Sequence, residues 1–211
     1  MSKEVATQVA TYLLEIKAVK LNPIEPFTWT SGWRSPIYCD NRVTLSHHVI
    51  RTYIKQELVN AIRKNFGTVT AIAGVATAGI AQGALVAEAM QLPYAYVRPE
   101  PKKHGMKNQI EGQLPAGSNV VVIEDLISTG GSSLKAIEAL REEGFNVLGL
   151  AAIFTYGFDL ASQQFENANC KMITLCDYNA LLKVAVELDY INVNILDDLS
   201  AWRSNPSQWR Q

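Results

Sequence analysis

The chain has 211 residues, 48% hydrophobic and 18% charged, with a net charge of −1. That is enough apolar material for one good-sized α/β core, and the neutral balance gives no reason to expect nucleic acid or an anionic membrane as partner. No apolar run is long enough to span a bilayer. The opening residues, Met1 to Gln8, lack the apolar core of a signal peptide, and Cys39, Cys170 and Cys176 fit neither a zinc site nor a disulfide framework. The expectation is a cytoplasmic protein whose cysteines are small, reduced and buried or half-buried.

Taken in order, residues 3–18 place Val5, Val9, Tyr12, Leu13 and Ile16 at helical spacing, predicting an amphipathic helix packed on the domain. Phe27 to Arg42 predicts a hairpin turning at Ser31–Gly32, with Pro36 marking an edge. Trp29 and Trp33 beside that turn are either cover for a core or part of a lid over a flat base. Residues 46–65 form a second helix, with Val49, Ile50, Tyr53, Ile54, Leu58, Val59 and Ile62 as its apolar residues. Val69–Val75 is a buried strand, Ala76–Gly79 its small-residue turn and Ile80–Met90 its helix. That turn serves either to present backbone N–H groups or simply to pack helix on sheet.

Tyr94–Val97 is the next strand. The stretch that follows, Arg98 to Gly112, gathers Arg98, Lys102, Lys103, His104 and Lys107, with Gly105 and Gly112 as hinges, and no strand signal returns until Val120. A loop of that length in a compact domain is a lid, a binding loop or disordered. It leaves the end of a strand, where α/β sheets bind ligands. A mobile cationic loop suits an anionic leaving group: it closes, excludes water and neutralises developing charge.

Val120–Ile123 is a buried parallel strand. Glu124 and Asp125 follow at its end, then the turn Ser128 to Ser133, then a helix over residues 134–143 with Gly144 at its C-cap. A helix start exposes unpaired N–H groups and a positive dipole end, and small residues let a phosphate approach them. Two adjacent acids cannot sensibly face that phosphate; they suit a diol or a phosphate-bound Mg²⁺. A ligand needing both is a sugar phosphate with free hydroxyls. Val147–Phe154 and Met172–Cys176 are further strands, separated by a polar, Asn-rich turn region. Asp177 N-caps a helix facing inward through Leu181, Leu182, Ala185 and Leu188. A last helix covers about 194–203, and Ser204–Gln211 is expected to fray.

The stretch Val120 to Ser133 resembles the phosphoribosyl-diphosphate (PRPP) motif of the type I phosphoribosyltransferases. Ser31-Gly32-x-x-Ser35-Pro36-x-Tyr38-x-Asp40 resembles the N-terminal hood of the orotate phosphoribosyltransferases, and Arg98-x-x-x-Lys102-x-His104-Gly105 resembles their catalytic loop. The resemblance runs over most of the chain. It implies a doubly wound α/β fold, the phosphoribosyltransferase type I fold, with a parallel sheet and a small hood. One domain would span 1–211, with the N-terminal helix and hood over about 1–45 and the core over about 46–211. The implied reaction is Mg²⁺-dependent transfer of 5-phosphoribose from PRPP to N1 of orotate, giving orotidine 5′-phosphate and pyrophosphate in de novo UMP synthesis.

Carried over by position, Leu126, Ile127, Ser128, Thr129, Gly130, Gly131 and Ser132 would cradle the 5′-phosphate. Glu124 and Asp125 would hold the ribose hydroxyls and stand near a Mg²⁺ held mainly through PRPP. Arg98, Lys102 and His104 would contact the diphosphate, with Lys103 close by; Lys102, Lys103, His104 and Asp125 are the catalytic candidates. Main-chain groups at Tyr38 and Cys39, together with Ser128, would meet orotate. The second turn, Ala76–Gly79, would receive pyrophosphate. In relatives the loop reaches a neighbouring subunit's site, implying a homodimer that shares residues 98–112.

The chain departs from the pattern where cations are usual: Thr30 before the hood Ser-Gly, Ala78 in the second turn, Pro99 after the loop Arg, and Tyr156-Gly157 where an Arg touches the base carboxylate in many members. Arg42, beside the hood, is the candidate substitute. Two alternatives stay open. One is a phosphoribosyltransferase for a purine, which would differ in the hood. The other is a non-catalytic PRPP-sensing regulator, for which neither a basic balance nor a spare domain speaks.

Overall fold

The computed structural model describes residues 2–29, 31–100 and 109–210. Helix α1 (Lys3–Glu15) buries Val9, Ala10, Leu13 and Leu14. Four short strands follow, β1 (Val19–Leu21), β2 (Phe27–Thr28), β3 (Arg34–Ser35) and β4 (Ile37–Cys39). β1 pairs antiparallel with β4, and β2 with β3, so the hood is two small ribbons that turn at Gly32 as predicted. A 3₁₀ turn, Asn41–Ser46, leads into α2 (His48–Asn65).

The core alternates strand and helix: β5 (Ala71–Val75), α3 (Gly79–Met90), β6 (Tyr94–Val97), β7 (Ile110–Glu111), β8 (Asn119–Ile127), α4 (Gly131–Glu142), β9 (Asn146–Thr155), α5 (Asp159–Asn167), β10 (Lys171–Asp177), α6 (Tyr178–Glu187) and α7 (Leu196–Ser204). The six-stranded sheet runs in the order β10-β9-β8-β5-β6-β7 and is parallel except for β7. Successive strands move outward from β5 to β6, then jump back to β8 and move outward the other way. The switch therefore falls between β5 and β8, where open α/β sheets form their binding crevice.

Strand period decides which core each residue joins. Val121 and Ile123 of β8 pack with α1, α2, α3 and α6, while Val120 and Val122 pack with α4 and α5. Helices thus cover both faces, the doubly wound arrangement expected. Among the described residues no helix is long and apolar enough to cross a membrane.

Several sequence expectations need correction. β8 runs on through both acids to Ile127, because Leu126 and Ile127 still pair with Phe154 and Thr155 of β9. The stretch read as a polar turn region holds α5, whose polar surface hid a narrow inner face of Ala161 and Phe165. Val49 is exposed because its neighbour Ile50 takes the inward face of α2, and Leu188 is exposed because α6 ends at Glu187 and leaves it at the C-cap. The expected loop after β6 contains β7, which pairs antiparallel with β6 and narrows the loop's root. Ser204 to Arg210 is tied down. Trp209 is buried and donates from Nε1 to Asp198 Oδ1 at 3.0 Å, and Arg210 pairs with Asp198 at 2.7 Å and reaches the Pro23 carbonyl.

Two turns meet at the switch because α3 starts hard against β8. A Cβ on Gly79 would stand 2.5 Å from the Ile123 carbonyl oxygen, a backbone atom that cannot swing aside. Gly79→Ala should therefore push α3 off the tip of β8 and lower stability by about 1–3 kcal/mol, the usual cost of overpacking. Denaturant unfolding checks this; an unchanged midpoint would show that the approach is not tight.

Candidate active site

The two acids near the end of β8 have different surroundings. Glu124 continues the row of Val120 and Val122 toward α4, and its carboxylate accepts from Ser133 Oγ at 3.1 Å and from the Asp125 N–H at 3.0 Å. It is only 5% exposed. The Asp125 backbone carbonyl accepts from Asn41 Nδ2 at 2.7 Å, at the base of the hood. Asn41 is itself buried and accepts from Cys39 Sγ at 3.3 Å. The base of the hood is thus clasped to the tip of the central strand.

Burial pushes the Glu124 carboxyl well above its ordinary range, and the adjacent Asp125 charge adds to this. Burial also raises Asp125, while hydrogen bonding within the pair and the nearby Arg42 charge pull the other way.

The turn after β8 closes one wall of a cavity of about 290 Å³. Leu126 and Ser128 to Ser133 form that wall, Ala76 to Ala78 after β5 form another, and Glu124 and Asp125 lie between them. Gly130 sits at φ +87° ahead of α4, in the left-handed region that glycine tolerates. A Cβ there would also stand 2.8 Å from the Phe165 ring. No side chain caps α4, so its first-turn N–H groups remain available to an anion. The cavity offers anion donors on one side and carboxylates on the other, as a sugar phosphate requires.

A second cavity, of about 600 Å³, adjoins it and shares Leu126, Ser128 and Thr129. Tyr38 and Cys39 of β4 line it, and so do Trp29, Trp33 and Tyr156. Trp29 and Tyr156 lie 5.1 Å apart in a tilted stack, and Trp29 Nε1 donates to the Ile37 carbonyl at 3.1 Å. The Trp29 ring packs on the core and also forms cavity wall. Tyr156 escaped the sequence reading, since an aromatic residue at the end of a buried strand reads as core. Asn41 escaped it too, because it acts through a carbonyl 84 residues away, and Ser133, read as part of the small-residue turn, donates to Glu124.

Of the basic candidates, Arg98 ends β6, with its Nη1 3.3 Å from Glu111 Oε1 across the β6–β7 pair. With Pro99 and Lys135 it borders a cavity of about 300 Å³ that also touches Ala76, Gly131 and Ser132. Lys102, Lys103 and His104 lie outside the described residues, as does Thr30. Arg42, the candidate substitute cation, stands just past the hood strand β4. Its Nε and Nη2 hold the two Asp40 oxygens at 2.6 and 2.9 Å, its side chain is 58% exposed, and it does not line the aromatic cavity. A carboxylate two residues back along the chain captures it first.

Residues 46–190 match the phosphoribosyl transferase domain family. The chain is 54% identical to the orotate phosphoribosyltransferase of Cytophaga hutchinsonii over 97% of its own length and 98% of that protein's. It is equally identical to those of Porphyromonas gingivalis, over 98% and 99%, and Listeria innocua, over 96% and 97%. The chain belongs to the orotate phosphoribosyltransferases. Among solved structures, orotate phosphoribosyltransferase from Aeropyrum pernix superposes with a TM-score of 0.76 at 29% identity, covering 87% of this chain and 99% of that one. UMP synthase of Leishmania donovani superposes at 0.79 with 26% identity; the chain covers 42% of that longer protein. In this orotate phosphoribosyltransferase family member, the acid pair, the glycine turn and the hood all meet at the β5–β8 switch.

An acid whose ionisation is displaced upward keeps its proton in the folded chain at pH values where the unfolded chain has lost it. The stability tied to Glu124 is therefore fully present below the ordinary carboxylate range and is lost as pH rises through the folded-state value. Glu124→Gln removes that loss. Thermal unfolding of the ligand-free protein should show the variant gaining on the parent as pH climbs from acid to neutral, by about 1.4 kcal/mol for each tenfold displacement of the equilibrium. Parallel stability–pH curves would mean that Glu124 titrates normally.

Proposed function

We propose that the chain transfers the 5-phosphoribosyl group of PRPP to N1 of orotate, forming orotidine 5′-phosphate and releasing pyrophosphate, as a cytoplasmic step of UMP synthesis. The observation that carries this reading is the adjacency of the two cavities, one fit for a pentose phosphate and the other walled by aromatic rings. They share Ser128 and Thr129, so a C1′ centre would sit where they join.

In this reading the α4 N-terminus and the Ser128 to Ser132 turn hold the 5′-phosphate, and the Ala76–Ala78 turn faces the diphosphate. Asp125 holds the ribose hydroxyls and, as C1′ gains oxocarbenium character, stabilises the positive charge. Glu124, with both oxygens already engaged, positions Asp125 and the first turn of α4. Trp29 and Tyr156, stacked on one another, form an aromatic wall against which the flat base packs, excluding water. Orotate N1 is acidic enough that positioning and electrostatics carry most of the barrier reduction.

The residues present fit a Mg²⁺ that arrives with its substrate. Among the described residues no cluster of three or more acids, His or Cys offers a complete cage, and Mg²⁺ characteristically takes one or two carboxylates plus phosphate and water. Asp125 is the residue to hold it, with Glu124 beside it; once bound, the ion supplies neutralisation of diphosphate charge. Arg98 and, beyond the described residues, Lys102, Lys103 and His104 assist the departure of pyrophosphate. A homodimer sharing residues 98–112 between its sites completes the proposal; in its support, the loop is rooted on the edge pair β6–β7, two strands from β8.

Incubation with PRPP, Mg²⁺ and orotate should deplete orotate absorbance, and EDTA should abolish the loss. Turnover of adenine or hypoxanthine in place of orotate would overturn the base assignment, and PRPP binding without pyrophosphate release from any base would favour a sensor. For the dimer, mixing inactive Asp125→Ala with inactive Lys103→Ala should restore activity, because one composite site would then keep both residues; no recovery would argue against a shared loop.

A further inference from the structure

Orotate carries a carboxylate, yet the cavity proposed to receive it is lined by hydroxyls, a thiol and aromatic rings, with no Lys or Arg among its described residues. Arg42 is held by Asp40. A smaller cavity, of about 200 Å³, lies directly beyond Trp33 and Thr129, which line both spaces. Its outer wall is the end of α7 and the segment after it, and there stands Arg203. Arg203 is half-buried and has no hydrogen-bond or ion-pair partner among the described residues. Asp159 lines the same space without pairing with it.

Two features of the fold bring Arg203 to this position. Trp202, the residue before it, is fully buried and packs edge-on against Trp29 and Tyr156, the rings that wall the base cavity, with centroids 5.6 Å away. The Asp198 contacts to Trp209 and Arg210 then fix α7 from behind. Opposite Arg203 is Gly157, at φ +69°, next to Tyr156. A Cβ on Gly157 would stand 3.7 Å from Arg203 Nη1, so any longer side chain there would occupy the guanidinium's place. One end of β9 thus supplies a ring to the base and leaves room beside it for a cation from the C-terminal helix.

We propose that Arg203 is the specificity residue for the carboxylate of the base, its guanidinium reaching past the Trp33–Thr129 divide to pair with that group. This rests on the orotate reading above. A long side chain with a planar fork suits a carboxylate approached from the side, and an unpaired guanidinium has no existing ion pair to break.

The test is steady-state kinetics of Arg203→Ala with orotate and PRPP varied separately, together with calorimetric binding of orotidine 5′-phosphate and of uridine 5′-phosphate, which lacks the carboxylate. The expected result is a rise in KM for orotate of about 10- to 100-fold, the size of a lost charge-assisted bond, with KM for PRPP nearly unchanged. Orotidine 5′-phosphate should weaken by a similar factor and uridine 5′-phosphate should not, a split that a merely structural role would not produce. Arg203→Lys should recover part of the loss. Arg203→Gln keeps the length and drops the charge, and gives the same readout if the Ala variant fails to fold. Equal weakening of both nucleotides, an unchanged orotate KM, or a selective loss in Arg42→Ala instead would overturn the proposal. A parent chain that bound neither orotate nor its nucleotide would overturn the orotate reading itself, and this inference with it.

Discussion

The site depends on the close parallel pairing of β5 with β8 at the point where strand order reverses. Ala71 to Gly74 run beside Val120 to Ile123 in register, so the two strands end side by side and their turns open into one crevice. Gly79 lets α3 begin against the Ile123 carbonyl, keeping the Ala76–Ala78 turn within the same cavity as the turn after β8. Were those strands separated by another, the small-residue turns would be two unrelated βα connections. Packed together, they enclose a space with N–H groups on one side and carboxylates on the other.

A second constraint ties the hood to that crevice. The Asn41–Asp125 bond links the base of the hood to the last turn of β8, and Trp29 ties its tip to Tyr156 and Trp202. Aromatic burial holds the hood, since Trp202 and Tyr156 are buried and each large ring removes much apolar surface from water. Trp29 and Tyr156 also form the wall of the larger cavity, so the contacts that hold the hood also shape what it covers. The C-terminal segment joins this cluster through α7, which brings Arg203 to the edge of the site.

The acid pair shows how a local rule yields a functional asymmetry. Neighbouring residues on a strand point to opposite faces. Glu124 is therefore drawn into the α4 interface, where Ser133 and a backbone N–H satisfy it, while Asp125 stays half-buried at the mouth of the cavity. Two acids of similar chemistry thus have different surroundings, one inside and the other at the edge.

Much of the architecture was legible from the residues alone. Uniform runs such as Val120–Ile123 marked buried strands, Asp177 announced its helix by accepting from the Ala180 N–H, and Gly144 closed α4 at positive φ. The order strand, acids, glycine turn, helix also located the cavity at the switch, because each of those signals rests on contacts a few residues apart. What only the tertiary structure decided was which distant pieces meet: Asn41 with a carbonyl 84 residues away, Trp29 with Tyr156, Arg42 with Asp40 rather than the cavity, and Arg203 beside Gly157. Periodicity records which face of an element is apolar but not what covers that face, and the partner is chosen only when the whole sheet, with its helices, packs.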